Sequence, residues 1–123
     1  MTDKPKIGES EWYVMKALWT AETPLSGSDV VKAVSRETDW SQSTILTMLR
    51  RLVAKKAVGT RQEQVAVYFP LLDESEVKRA ETSQFVRRVY EGSANLLVRS
   101  FIEAGELSEQ EREELRKLLD DKG

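Results

Sequence analysis

Cysteine and histidine are both missing from this chain of 123 residues. Without cysteine there is no disulfide framework, no thiolate metal site and no thiol nucleophile. Without histidine there is no imidazole base and no imidazole metal ligand. Together the two absences exclude most small hydrolases and metalloenzymes, so no catalytic residue, metal or cofactor is expected. Proline (3) and glycine (6) are scarce, which argues against a disordered or fibrous chain. No apolar run approaches the ~18 residues that span a bilayer. The start, MTDKPKIGESEW, lacks the apolar stretch of a signal peptide. A soluble, cytoplasmic protein without a lipid partner is expected.

What is present fits one small domain with an appendage: 40% apolar and 33% charged residues, with a net charge of −2. That charge hides an asymmetry. Residues 1–72 carry a net +2 and residues 73–123 a net −4. Residues 41–62 hold Arg50, Arg51, Lys55, Lys56 and Arg61 and no acid at all. A patch of that density can meet phosphate even in an acidic chain.

The apolar spacing predicts a helix over residues 10–21, with Trp12, Met15, Leu18 and Trp19 on its core stripe. Glu9 and Glu11 near its start suit the helix dipole. Thr23-Pro24 ends it. Ser26 is the N-cap of a second helix that buries Val30, Val31 and Val34. Ser41 caps a third, which Trp40 staples against Ile45. Ile45, Met48, Leu49 and Leu52 form the buried stripe of that helix. At 100° per residue the opposite face carries Ser43, Thr47, Arg50, Arg51 and Ala54, with Thr44 at its margin.

After Lys56 the period changes. Residues 58–61 and 65–71 read as two strands joined by a loose turn at Gln62, Glu63 and Gln64. Pro70 marks a strand end or a sheet edge. Asp73 then caps a long helical stretch to about residue 104, interrupted near Gly92-Ser93. Gly105 ends it, and Ser108 with Glu111 forms a capping box for a last helix through about residue 119. The acidic residues between 109 and 121 alternate with Arg112, Arg116 and Lys117, the pattern of a solvated helix.

Helix, helix, helix and hairpin make a winged helix-turn-helix domain over residues 1–72, followed by a helical region over 73–123. The fold class is mainly α with a small β-hairpin wing. A helix entering the major groove uses short hydroxyl or amide side chains near its N-terminus and long cations beyond them. Ser41, Gln42, Ser43, Thr44, Thr47, Arg50 and Arg51 are of that kind, and Arg61 lies on the wing. Double-stranded DNA is therefore the expected partner. The other reading of the same face is a solvated helix, and a protein-interaction adaptor is the alternative function.

The C-terminal helices carry Phe85, Val89, Leu96, Leu97, Phe101 and Ile102 with nothing evident to cover them. Leu115, Leu118 and Leu119 extend that surface. They either pack back on the winged domain or pair with a second copy; pairing is preferred because two-fold dimers read palindromes.

These residues resemble the penicillinase-repressor group, the BlaI/MecI/CopY family of bacterial regulators. The resemblance is carried by ESEWYVMKALW (9–19), DWSQSTILTMLRRLVAKKAV (39–58), VYFPLL (67–72), RVYEGSANLLVRSF (88–101) and LSEQEREELRKLL (107–119). It implies a homodimeric repressor on a two-fold operator with TACA/TGTA half-sites. Thr44, Thr47 and Arg51 then face bases, and Ser41 and Ser43 lie near phosphate. The copper-responsive branch carries paired cysteines, absent here, so copper sensing is not expected. In the β-lactam branch a membrane sensor protease triggers cleavage of an Asn-Phe bond in the dimerisation helix. The matching bond is Ser100–Phe101, expected to be helical and buried. The family's Lys-Lys-Gly at the end of the third helix stands as Lys55-Lys56-Ala57. A left-handed Ala57 would cost about 1 kcal/mol, so a different helix end is expected.

Overall fold

A computed structural model describes residues 5–122. Its elements are α1 (Glu11–Thr20), β1 (Leu25–Ser26), α2 (Gly27–Ser35), α3 (Gln42–Ala54), β2 (Val58–Gln62), β3 (Ala66–Pro70), α4 (Glu74–Val89), α5 (Ala94–Glu103) and α6 (Glu109–Lys122). They divide into two compact units, one ending at Val77 and the other beginning at Lys78.

In the first unit, α1, α2 and α3 enclose one core. Val14, Met15 and Leu18 enter it from α1, and Val30 and Val34 from α2. From α3 come Ile45, Met48, Leu49 and Leu52, the stripe that the spacing predicts. The centre of the α1 stripe differs from expectation. Trp12 and Trp19 are only half-buried at its margins, with ring centroids 5.9 Å apart. The indole N–H gives the reason for Trp19: it donates to the Leu72 carbonyl at 3.0 Å, so the ring lies where the chain leaves the wing. A buried indole needs such a partner. Val31 is likewise half-buried.

Both predicted N-caps form. The Ser26 hydroxyl accepts the Asp29 N–H at 3.1 Å, and the Ser41 hydroxyl accepts the Thr44 N–H at 3.2 Å. Trp40 is partly buried against the core. Its ring stands edge-on to Tyr13 of α1, with centroids 5.1 Å apart, and so ties the start of α3 to α1.

The sheet has three strands, not two, in the order β1-β3-β2, all antiparallel. The extra strand is Leu25–Ser26, paired with Tyr68 and Val67. Ser26 therefore serves both as a strand residue and as the cap of α2, which locks the helix-turn-helix to the wing. Pro70 ends the central strand opposite Val58, beyond the reach of β1, which pairs only with Tyr68 and Val67. Gly59 faces Phe69 in the hairpin, and a Cβ there would lie 2.5 Å from the ring. Any larger residue there would have to displace the Phe69 ring.

The end of α3 is a Schellman motif. The Lys56 N–H donates to the Val53 carbonyl at 3.0 Å, and the Ala57 N–H to the Leu52 carbonyl at 2.9 Å. The left-handed residue is Lys56, with φ 66°, not Ala57. Ala57 is fully buried instead, at the corner where α3 becomes β2.

Val77, in the first turn of α4, packs against the core of the first unit, beyond the boundary expected after residue 72. Asp73 caps α4, accepting the Glu76 N–H at 3.1 Å.

In the second unit the interruption falls where expected. Glu91 (φ 53°) and Gly92 (φ 87°) turn the chain between α4 and α5, and Ser93 caps α5. Gly105 (φ 71°) closes α5 with a second Schellman pair. The capping box of α6 forms in both directions: Ser108 N–H to Glu111 Oε1 at 2.9 Å, and Glu111 N–H to Ser108 Oγ at 3.1 Å. The Ser108 backbone N–H, and after it the Ser108 hydroxyl, hold the Glu111 carboxyl below its ordinary value. No helix among the described residues is long and apolar enough to cross a membrane.

Candidate nucleic-acid interface

The α3 cap and stripe decide what α3 shows to solvent. With Ile45, Met48, Leu49 and Leu52 turned inward, Ser41, Gln42, Ser43, Thr44, Thr47, Arg50 and Arg51 are all exposed. Ser43, Thr44, Thr47 and Arg51, with the edge of Met48, line one shallow depression. Gln42 and Arg50 lie outside it.

The hydroxyls are ordered by one another. Ser41 Oγ donates to Thr44 Oγ1 at 2.9 Å and lies 3.2 Å from Ser43 Oγ. Thr47 donates its proton to the Ser43 carbonyl at 2.8 Å. Thr47 therefore presents outward a methyl group and oxygen lone pairs, suited to a thymine methyl or a base amino group.

The five cations of residues 41–62 separate into two kinds. Lys55 is half-buried and held by the protein itself, 2.7 Å from Glu11 and 2.8 Å from the Lys6 carbonyl. Arg61 lies on β2 with its Nε 2.8 Å from Glu63 Oε2 and its guanidinium 5.4 Å from the Phe69 ring centroid. Arg50, Arg51 and Lys56 have no ion-pair partner among the described residues. Lys56 counts in the acid-free patch but is not among the residues that the sequence assigns to the DNA-facing surface. Its signal was there, in the same acid-free run, but the left-handed turn that exposes it has no local signature in a lysine.

The predicted pairing residues of the second unit are exposed within one chain. Phe85, Val89, Leu96, Phe101, Ile102, Leu115, Leu118 and Leu119 are 38% to 71% accessible, and Leu97 is half-buried. Val98, 44% accessible, belongs with them and was missed. Val86 alone is buried among the apolar residues of this unit. Ser100–Phe101 lies inside α5, as expected. It is not buried in the single chain: Ser100 is exposed, and its hydroxyl accepts from the Tyr90 hydroxyl at 3.2 Å. The reason is that no element among residues 78–122 covers that face of α5.

Comparison with known proteins identifies the family. The penicillinase repressor family model matches residues 7–121. The penicillinase repressor of Bacillus licheniformis is 36% identical over 118 residues, covering 95% of this chain and 91% of that one. The methicillin resistance regulatory protein MecI of Staphylococcus aureus is 33% identical over 118 residues, 95% of each chain. Among solved structures, the DNA-binding domain of the repressor BlaI superposes with a TM-score of 0.54 at 39% identity, covering 62% of this chain and 93% of that one. The monomeric Bacillus licheniformis BlaI in complex with the blaP half-operator gives the same values. The family is one of repressors, not enzymes, and its DNA-binding domain is a winged helix. The chain belongs to the penicillinase repressor family.

Proposed function

We propose that the protein is a homodimeric repressor that reads a two-fold TACA/TGTA-type operator and is released by proteolysis in its C-terminal region. The observation that carries this reading is the α3 face: two arginines without acidic partners beside a row of mutually ordered hydroxyls. It is supported by the relative of 39% identity whose structure includes a half-operator.

In this reading residues 1–72 bind DNA and residues 73–123 dimerise. Thr44, Thr47 and Arg51 face base edges; Ser41, Gln42, Ser43 and Arg50 lie toward the backbone; Arg61 brings the wing to phosphate. The apolar faces of α4, α5 and α6 meet their copies, and the two winged domains then occupy two half-sites. Joining the half-sites raises affinity by a factor of about 10² to 10⁴ over a lone monomer. A cut at Ser100–Phe101, supplied by a membrane sensor protease, removes Phe101, Ile102 and α6 and releases DNA without touching a base contact. The protein works in the cytoplasm, where its operator is.

Titration against a palindromic operator duplex and a random duplex at several salt concentrations tests the reading. Binding through several phosphates weakens steeply with salt, with operator tighter than random DNA throughout. Equal affinities for the two duplexes, or affinity indifferent to salt, would overturn it in favour of a protein-interaction adaptor.

A further inference from the structure

Among the described residues Glu11 is the one buried charged side chain, 6% accessible. Its Oε1 lies 2.7 Å from Lys55 Nζ and accepts the Gly8 N–H at 2.7 Å. Lys55 Nζ also donates to the Lys6 carbonyl at 2.8 Å. The network thus joins the segment before α1, the first turn of α1 and the C-cap of α3. The space is closed as well: a Cβ on Gly8 would sit 3.1 Å from the Glu11 carboxylate.

Glu11 is buried and the Lys55 side chain is 34% accessible. An ion pair taken partly out of water contributes little net stability, since lost hydration offsets much of the attraction; its best-attested value is in specifying one arrangement over others. What Glu11 specifies here follows from where Lys55 stands. Lys55 is the C-cap of α3. The next residue turns left-handed, Ala57 and Val58 are buried, and β2 has begun. The Ala57 carbonyl accepts the Leu71 N–H at 3.0 Å, which ties the far end of the hairpin to the same corner. Lys55 therefore sits at the joint between the helix that carries Thr44, Thr47 and Arg51 and the wing that carries Arg61. Without the Glu11 carboxylate the Lys55 ammonium keeps only the Lys6 carbonyl, and the joint loses its link to α1.

We propose that Glu11 is a positioning residue for DNA recognition: acting through Lys55, it sets the recognition helix and the wing at the one mutual angle that lets both engage the same duplex. This rests on the DNA-binding reading above. Glu11 touches no DNA in that reading, so its effect falls on discrimination and not on the bulk attraction to phosphate.

The test uses the full-length protein in three forms: wild type, Glu11→Gln, and the double variant Glu11→Leu with Lys55→Met. Melting is recorded for each, and affinity for operator and random duplexes is measured well below each variant's own melting temperature. Both variants are expected to lower the operator-to-random affinity ratio by roughly 2- to 30-fold, the range over which residues outside a contact surface modulate it. The double variant should melt within a few degrees of wild type, because replacing both partners by apolar side chains leaves no unpaired charge behind. Loss of the Lys55 charge alone weakens both duplexes together and leaves the ratio unchanged, so the ratio separates positioning from contact. A wild-type ratio in either folded variant overturns the proposal, even if its melting temperature falls. Absence of any operator preference in the wild-type protein would instead sink the functional reading.

Discussion

Arg61 Nε and Glu63 Oε2 are 2.8 Å apart at the tip of the hairpin, half-exposed, with the Arg61 guanidinium over the Phe69 ring. The wing's cation thus carries its own counter-charge two residues away. Phosphate must compete with Glu63 for it. Glu63→Gln is expected to tighten binding to operator and random DNA alike, by a few-fold at low salt, since exposed pairs are worth about 0–1 kcal/mol. Arg61→Ala should weaken both duplexes about equally and lower the salt slope by at most about one. A change confined to the operator would show instead that the wing reads sequence.

Arg51 lies on the exposed side of α3, in the depression lined by Thr44 and Thr47 and away from the Ile45, Met48, Leu49 and Leu52 stripe. Arg51→Ala should cost about 1–3 kcal/mol of operator affinity if the guanidinium grips a base edge. The melting temperature should not move. Operator titration and thermal melting of one sample decide the matter; unchanged affinity with reduced stability would contradict the assignment.

Lys56 is the left-handed residue of the α3 Schellman motif, with φ 66°. A side chain in that conformation costs about 1 kcal/mol that glycine avoids. Lys56→Gly is therefore expected to stabilise the first unit by about that amount. The same change removes an unpaired cation from the acid-free run, so DNA affinity should fall while the melting temperature rises. Opposite movement of the two in one variant is the signature to measure.

The α6 capping box gives a pH dependence of known sign. Ser108 holds the Glu111 carboxyl below its ordinary range in the folded state. A group whose folded pKa is depressed contributes stability above its unfolded pKa, and that contribution is lost as pH falls through the folded value. The first turn of α6 should therefore loosen below the usual carboxylate range and hold at neutral pH. The amide shifts of Ser108 and Glu111, followed by NMR from pH 7 to pH 3, report it. In Glu111→Gln that component of the titration should vanish.

Truncation after Ser100 removes Phe101, Ile102 and α6. Sedimentation should then give a monomer, and operator affinity should drop by a factor of about 10² to 10⁴. A truncated chain that remains dimeric, or binds the operator as tightly as the whole protein, would exclude cleavage at Ser100–Phe101 as the release step.

Local chemistry was enough to place the helices, their caps and the wing. Ser26, Ser41, Asp73 and Ser108 cap the helices they precede because a short side-chain oxygen satisfies an otherwise free amide within three residues. The α3 stripe was legible because a helix that buries one face repeats every 3.6 residues. Its outward face followed by elimination, which is why the candidate DNA-binding residues all appear exposed on that helix or the wing. What tertiary structure alone decided are the pairings between distant residues. The two-residue strand β1 is too short to carry a period and exists because Tyr68 and Val67 offer it partners. Trp19 sits at the rim because its indole N–H finds the Leu72 carbonyl 53 residues away. Glu11 reads from the sequence only as an acid that suits the helix dipole; its burial goes with Lys55, 44 positions on, which comes within 2.7 Å. Periodicity reports which side of an element faces inward; it holds no information about which partner waits there, and partners settle the fate of tryptophans and charges.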